Sequence, residues 1–174
     1  MSAADPAAVT EADREAVHRQ LGREPRGMVA VAHRCECGEP DVATTAPRLP
    51  DGTPFPTTYY LTCPRLTGAV STLEAEGRMR GMQQRLAVDA DLRDAYRNAH
   101  ERYLASRSEL GDVAEIAGVS AGGMPDRVKC LHVLVGHALA SGPGVNPCGD
   151  EALTELTERG LARGLTCAER SAST

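Results

Sequence analysis

The sequence predicts an α+β fold: a small sheet of about three strands packed against four or five helices. Three observations predict it. Three short runs rich in β-branched or aromatic residues, Met28 to Ala32, Asp41 to Thr45 and Thr57 to Thr62, are each bounded by Gly, Pro or Asp. Longer segments between and after them carry apolar residues at helical spacing, closed by glycines. The chain has 174 residues, 41% of them hydrophobic, which suits one domain with a real core.

Residues 1–9 are Ala-rich with a proline and read as a disordered tail. Thr10 opens a capping pattern with Glu11 and Asp13 in the first turn, and Ala12, Ala16, Val17 and Leu21 share a face up to Gly22. Met28 to Ala32 reads as a buried strand, and Asp41 to Thr45 as a second one. The proline-rich stretch 47–56 is a stiff loop. Thr57 to Thr62 is the best strand by residue type.

Pro64 suits the first position of a helix whose apolar face is Leu66, Ala69, Val70 and Leu73, with Gly77 as its end. A second helix follows from Arg78 to Ala87. Asp89 caps a third that runs to Leu110, with Leu92, Ala95, Tyr96, Ala99, Tyr103 and Leu104 as its stripe, more simply core than an oligomer face. Residues 111–123 are a connector. Asp126 to Ala140 reads as a central, buried helix because it is apolar around much of its circumference. A turn-rich loop at 142–150, a weak helix from Glu151 to Arg163 and a flexible tail at 164–174 complete a single expected domain over 10–163.

Composition argues against nucleic-acid binding, leaving a zinc module with a basic stripe of Arg78, Arg80, Arg85 and Arg93 as the weakest reading. The net charge of -5 gives no field to attract nucleic acid or anionic lipid, and only 3% of residues are aromatic, so base-stacking platforms are missing. Every basic residue but Lys129 is Arg. No leader pattern opens the sequence and no apolar run is long enough to span a membrane, so a cytoplasmic protein with reduced cysteines is expected.

In that setting six cysteines need an explanation. Cys35 and Cys37 share a glycine-containing turn, Cys63 lies where a strand hands over to a helix, and Cys130 lies in the most apolar helix. Soft, anionic thiolates favour zinc or iron–sulfur clusters, and a tetrahedral zinc needs four donors at about 2.0–2.3 Å. The expected metal ligands are Cys35, Cys37, Cys63 and Cys130, with His132 or His33 as substitutes for Cys37. On a regular helix Cys130 and His132 lie about 200° apart, so they share an ion only if the helix starts late or is distorted. The bland alternative leaves Cys63 and Cys130 as ordinary buried residues.

Zinc is the expected metal and an iron–sulfur cluster with a redox role the alternative. A closed thiolate site would be structural, and the protein would act through contacts with another protein. The enzymatic alternative is a pocket lined by His132, Lys129 and Arg34 with acid–base groups. No Gly-x-Ser-x-Gly, phosphate-loop or His-Glu-x-x-His pattern is present.

Arg34-Cys35, Pro54-Phe55-Pro56-Thr57, Tyr60-Leu61-Thr62-Cys63-Pro64, Leu73-Glu74-Ala75-Glu76-Gly77, Lys129-Cys130-Leu131-His132 and the stretch Gly142 to Gly149 together resemble a bacterial family catalogued as domain of unknown function 501. The likeness spans about Gly27 to Ala152. It implies a housekeeping or division-linked role and no particular chemistry.

Overall fold

The computed structural model describes residues 9–161. The expected tails at 1–9 and 164–174 lie outside them, Val9 apart. The elements run α1 (Glu11–Leu21), β1 (Met28–Arg34), β2 (Pro40–Thr45), β3 (Tyr59–Leu61), α2 (Pro64–Ala75), α3 (Arg78–Val88), α4 (Ala90–Leu110), a short 3-10 turn (Ala114–Ile116), α5 (Leu131–Ser141) and α6 (Pro147–Glu158). The fold is α+β as expected, with six α-helices among the described residues where four or five were expected.

The sheet is antiparallel, in the order β1-β2-β3. Central β2 is buried along its whole length because helices cover both faces of the sheet. Side chains alternate along a strand. Val42 accordingly joins the main core, where α5 packs, and Ala43 joins a smaller cluster with Val17 of α1 and Met28 of β1.

Helix α1 starts at the capping box read from the sequence: the Asp13 N–H donates to Thr10 Oγ1, and the Thr10 N–H donates to Asp13. Asp13 also receives both Nη groups of Arg34 at 2.7 and 3.0 Å, tying α1 to the end of β1. The Arg34 guanidinium, foremost, holds this carboxyl down at about 2.

Tyr96 and Tyr103 of α4 are fully buried, so the stripe is core. The Tyr103 hydroxyl accepts the Thr58 N–H at 2.6 Å and so anchors the entry to β3. Buried Arg107 donates to the carbonyls of Pro56 and Ile116, fastening the proline loop and the 3-10 turn to the same helix.

Two glycines set how closely α5 packs. A Cβ on Gly136 would stand 2.9 Å from the Tyr59 carbonyl oxygen, and one on Gly149 only 2.2 Å from that of Leu134. The first lets α5 lie against β3; the second lets α6 lie against α5.

The main departure from the sequence reading is where α5 begins. A start near Asp126 was expected, but the helix starts at Leu131. Side chains from other helices bind the backbone of 126–128. Gln83 of α3 donates to the Asp126 carbonyl and accepts the Val128 N–H, and the Tyr96 hydroxyl donates to the Arg127 carbonyl. Gly122 and Gly123, both at positive φ, accept the Lys129 and Arg127 N–H groups in a tight turn. With those groups satisfied elsewhere, the helix has nothing to gain from earlier turns. Helix α6 likewise starts earlier than expected, at Pro147, because buried Asn146 caps it by accepting the Gly149 N–H.

Among the described residues, no helix is long and apolar enough to cross a membrane.

Candidate functional site

The late start of α5 makes Cys130 its N-cap residue, in extended backbone at φ -152° and ψ 107°. The sulfur therefore leaves the chain before the helical rotation begins, on the same side as His132. The last turn of α2 brings Glu74 to the same point. Its Oε1 accepts the Leu131 N–H at 2.7 Å, an acid set at a helix N-terminus, and lies 3.2 Å from His132 Nδ1.

Glu74, Cys130 and His132 each offer a ligand atom, and these atoms lie within 4.8 Å of one another. Among the described residues this is the one such group of three or more Cys, His, Asp or Glu donors. All three residues are partly exposed. They join the stretches 73–77 and 129–132, both of which carried the resemblance noted above.

The electrostatics follow from this packing. The Cys130 sulfur beside it raises His132 to about 9, with Glu74 and the Thr67 carbonyl adding to the effect and burial opposing it. Cys130 is lowered below the ordinary thiol value, chiefly by the His132 ring and also by the Val133 N–H, against burial and the Glu74 charge. On its far side His132 Nε2 lies 3.1 Å from the Thr67 carbonyl oxygen and 3.2 Å from Ser71 Oγ. A groove of about 430 Å³ opens at Cys130 and His132 and runs along Tyr59, Thr62, Thr67 and Val133.

The other expected ligands stand elsewhere. Cys35 and Cys37 are paired with each other in the structure. The turn between β1 and β2 explains this: the Cys35 N–H donates to the Glu39 carbonyl, Gly38 takes a φ of +87°, and the two Cα atoms come to 5.3 Å, a reach that suits a disulfide. In this state they offer no thiolate. Cys63 is the N-cap residue of α2, 1% exposed and part of the main core, at the strand-to-helix junction expected for it. His33 lies 2.8 Å from Asp41 Oδ1. Cys148 is fully buried, and burial pushes its thiol up to about 12.

The expected pocket of His132, Lys129 and Arg34 does not assemble. His132 lines the groove, Lys129 is exposed and outside its lining, and Arg34 is committed to Asp13. His137 is a core histidine. It is stacked on Tyr59 at 5.8 Å and edge-on to Tyr103 at 5.0 Å, with Nδ1 accepting from Asn146 Nδ2.

Glu74 is the member of the site that residue types alone did not reveal. It reads as an ordinary last-turn acid among 24 acidic residues. The usable signal was its place in Leu73-Glu74-Ala75-Glu76-Gly77, one of the stretches that carry the family resemblance.

Fold and site together define an α+β protein in which a helix N-cap cysteine, a histidine and a glutamate meet at the mouth of a groove. The chain belongs to the family described as Protein of unknown function (DUF501), which it matches over residues 31–154. No curated protein and no solved structure matches it.

Proposed function

We propose that the protein binds one metal ion through Glu74, Cys130 and His132, with zinc the first candidate. The observation that carries this reading is the convergence of the three donors within 4.8 Å, from two elements far apart in sequence. Thiolate, imidazole and carboxylate are the donor types zinc takes. Three protein donors leave a fourth position for water or a small ligand, the arrangement of zinc sites that act on substrates rather than closed structural ones. The groove beside Cys130 and His132 gives such a ligand a way in. One thiolate suits a single ion better than an iron–sulfur cluster, which is held by several.

The expected result is about one zinc per chain after loading and dialysis, and a thiolate-to-cobalt charge-transfer band on cobalt substitution. Cys130→Ala and His132→Ala should each lose the ion and the band, while the double variant Cys35→Ser/Cys37→Ser keeps both. Loading should weaken as pH falls, since metal and proton compete for the same atoms. No bound metal, or metal retained without both Cys130 and His132, would overturn the reading. Loss in the Cys35/Cys37 variant would return the site to the thiol set expected from the sequence.

A second reading has its own observation behind it. Both ring nitrogens of His132 face acceptors, Glu74 and the Thr67 carbonyl, so the ring is held protonated next to the Cys130 sulfur. That is the setting of a reactive thiolate. In metal-free protein, iodoacetamide should label Cys130 with a midpoint below the ordinary thiol value of about 8.5, and His132→Ala should move the midpoint upward. Equal midpoints in the two proteins would remove this reading.

A further inference from the structure

A second cavity, of about 200 Å³, shares Leu21, Tyr60 and Thr62 with the cysteine–histidine groove. Its floor is apolar: Val17 of α1, Met28 of β1 and Ala43 of β2, all buried. The half-buried rings of Phe55 and Tyr60 form a wall, with centroids 6.4 Å apart. The chain has only one Phe and four Tyr. Tyr96 and Tyr103 are spent on the core and Tyr59 packs against it. The remaining two aromatic residues both face this cavity.

Two arginines stand at its rim, and they differ. Arg26 is paired with Asp51. Arg23 is exposed and makes no ion pair among the described residues; its Nη2 donates to the Tyr60 hydroxyl at 3.3 Å and its Nη1 to the Glu24 carbonyl at 3.4 Å. The cavity thus combines an apolar body, an aromatic wall and one unmatched guanidinium beside a phenolic hydroxyl.

We propose that this cavity binds a small organic carboxylate with an apolar, ring-sized body. The body sits on Val17, Met28 and Ala43 against Phe55, and the carboxylate meets the Arg23 fork and the Tyr60 hydroxyl. Burial of the apolar body supplies affinity, and the charge-assisted bonds set its orientation. A volume of about 200 Å³ suits a ligand body about the size of one substituted ring. Leu21, Tyr60 and Thr62 line both this cavity and the groove beside Cys130, so the two sites are neighbours. The inference does not rest on the metal reading.

The test is a titration of the full chain with 3-phenylpropionate, followed by backbone amide shifts. Saturable shifts at Val17, Arg23, Ala43 and Phe55 are expected. The neutral 3-phenylpropionamide and the Arg23→Gln variant should each bind about tenfold more weakly, one charge-assisted contact's worth. Arg26→Gln, whose charge is already matched, should stay within about threefold, and Phe55→Ala should weaken binding. His132→Ala should bind as the parent does, which separates this cavity from a carboxylate caught by a metal. The proposal is overturned by an absence of saturable shifts at these residues at millimolar ligand. Equal binding of acid and amide, or unchanged affinity in Arg23→Gln, overturns it too.

Discussion

Replacing Gly149 by alanine is expected to destabilise the protein by about 3 kcal/mol, the upper part of the usual range for overpacking. Local preference argues the other way. Gly149 lies in the first turn of α6, where alanine favours the helix by up to about 1 kcal/mol. Space decides the sign. The new Cβ would stand 2.2 Å from the Leu134 carbonyl oxygen and 2.8 Å from the Ala138 Cβ. The first neighbour is backbone inside α5 and cannot rotate aside, so α6 must move off α5 along the contact that buries Leu134, Val135, Ala152 and Leu156.

Gly81 is the internal control. It lies in α3 at ordinary helical φ, and a Cβ there would meet nothing within 4 Å, so Gly81→Ala should stabilise by about 0.4–1 kcal/mol. Urea unfolding of both variants beside the parent reads out the pair. Gly149→Ala as stable as the parent would contradict the close α5–α6 approach.

Acidification from pH 6.5 to pH 4 is expected to remove about 3 kcal/mol through His137 alone, since each unit of pKa difference is worth about 1.36 kcal/mol. His137 is fully buried; desolvation, with Arg102 adding to it, pushes its pKa down from 6.5 to about 4. Its Nδ1 accepts from Asn146, so the proton sits on Nε2, which has no partner. The folded protein therefore keeps the ring neutral where the unfolded chain would already protonate it. The contribution is fully present above about pH 6.5 and is lost as pH falls through about 4.

Asp13 works lower, between 3.8 and about 2, so the two windows separate. His100 is also lowered by burial, and a His100→Asn variant isolates its share. The measurement is urea stability at intervals from pH 7.5 to 4 for the parent and His137→Phe. The phenylalanine variant should be less stable at pH 7.5, because Asn146 loses its acceptor, yet flatter with pH. An equally steep dependence in both proteins would refute the assignment.

Helix α5 shows how much could be read from residue order. Its apolar character and central burial followed from Leu131, Leu134, Val135 and Ala138, and all four are buried. Its start did not, because the groups that hold residues 126–128 out of a helix, Gln83 and Tyr96, belong to other helices. That displacement of five residues decides the site. Cys130 and His132, about 200° apart on a regular helix, converge once Cys130 lies outside the helix.

Residue order alone was enough for the three strands, the capped start of α1 and the break between α2 and α3 at Gly77. Each is set by local propensity or by apolar periodicity within one segment, and those signals are carried by neighbours in the chain. That Tyr96 and Tyr103 are buried in the core and do not form an oligomer face was decided by the packing. Which thiols stand beside which donors was decided in three dimensions. Packing left Cys63 in the core and set Glu74 against Cys130 and His132. Such contacts depend on where helix ends fall and on how closely glycines let helices approach. Both are settled between elements, which no local pattern records.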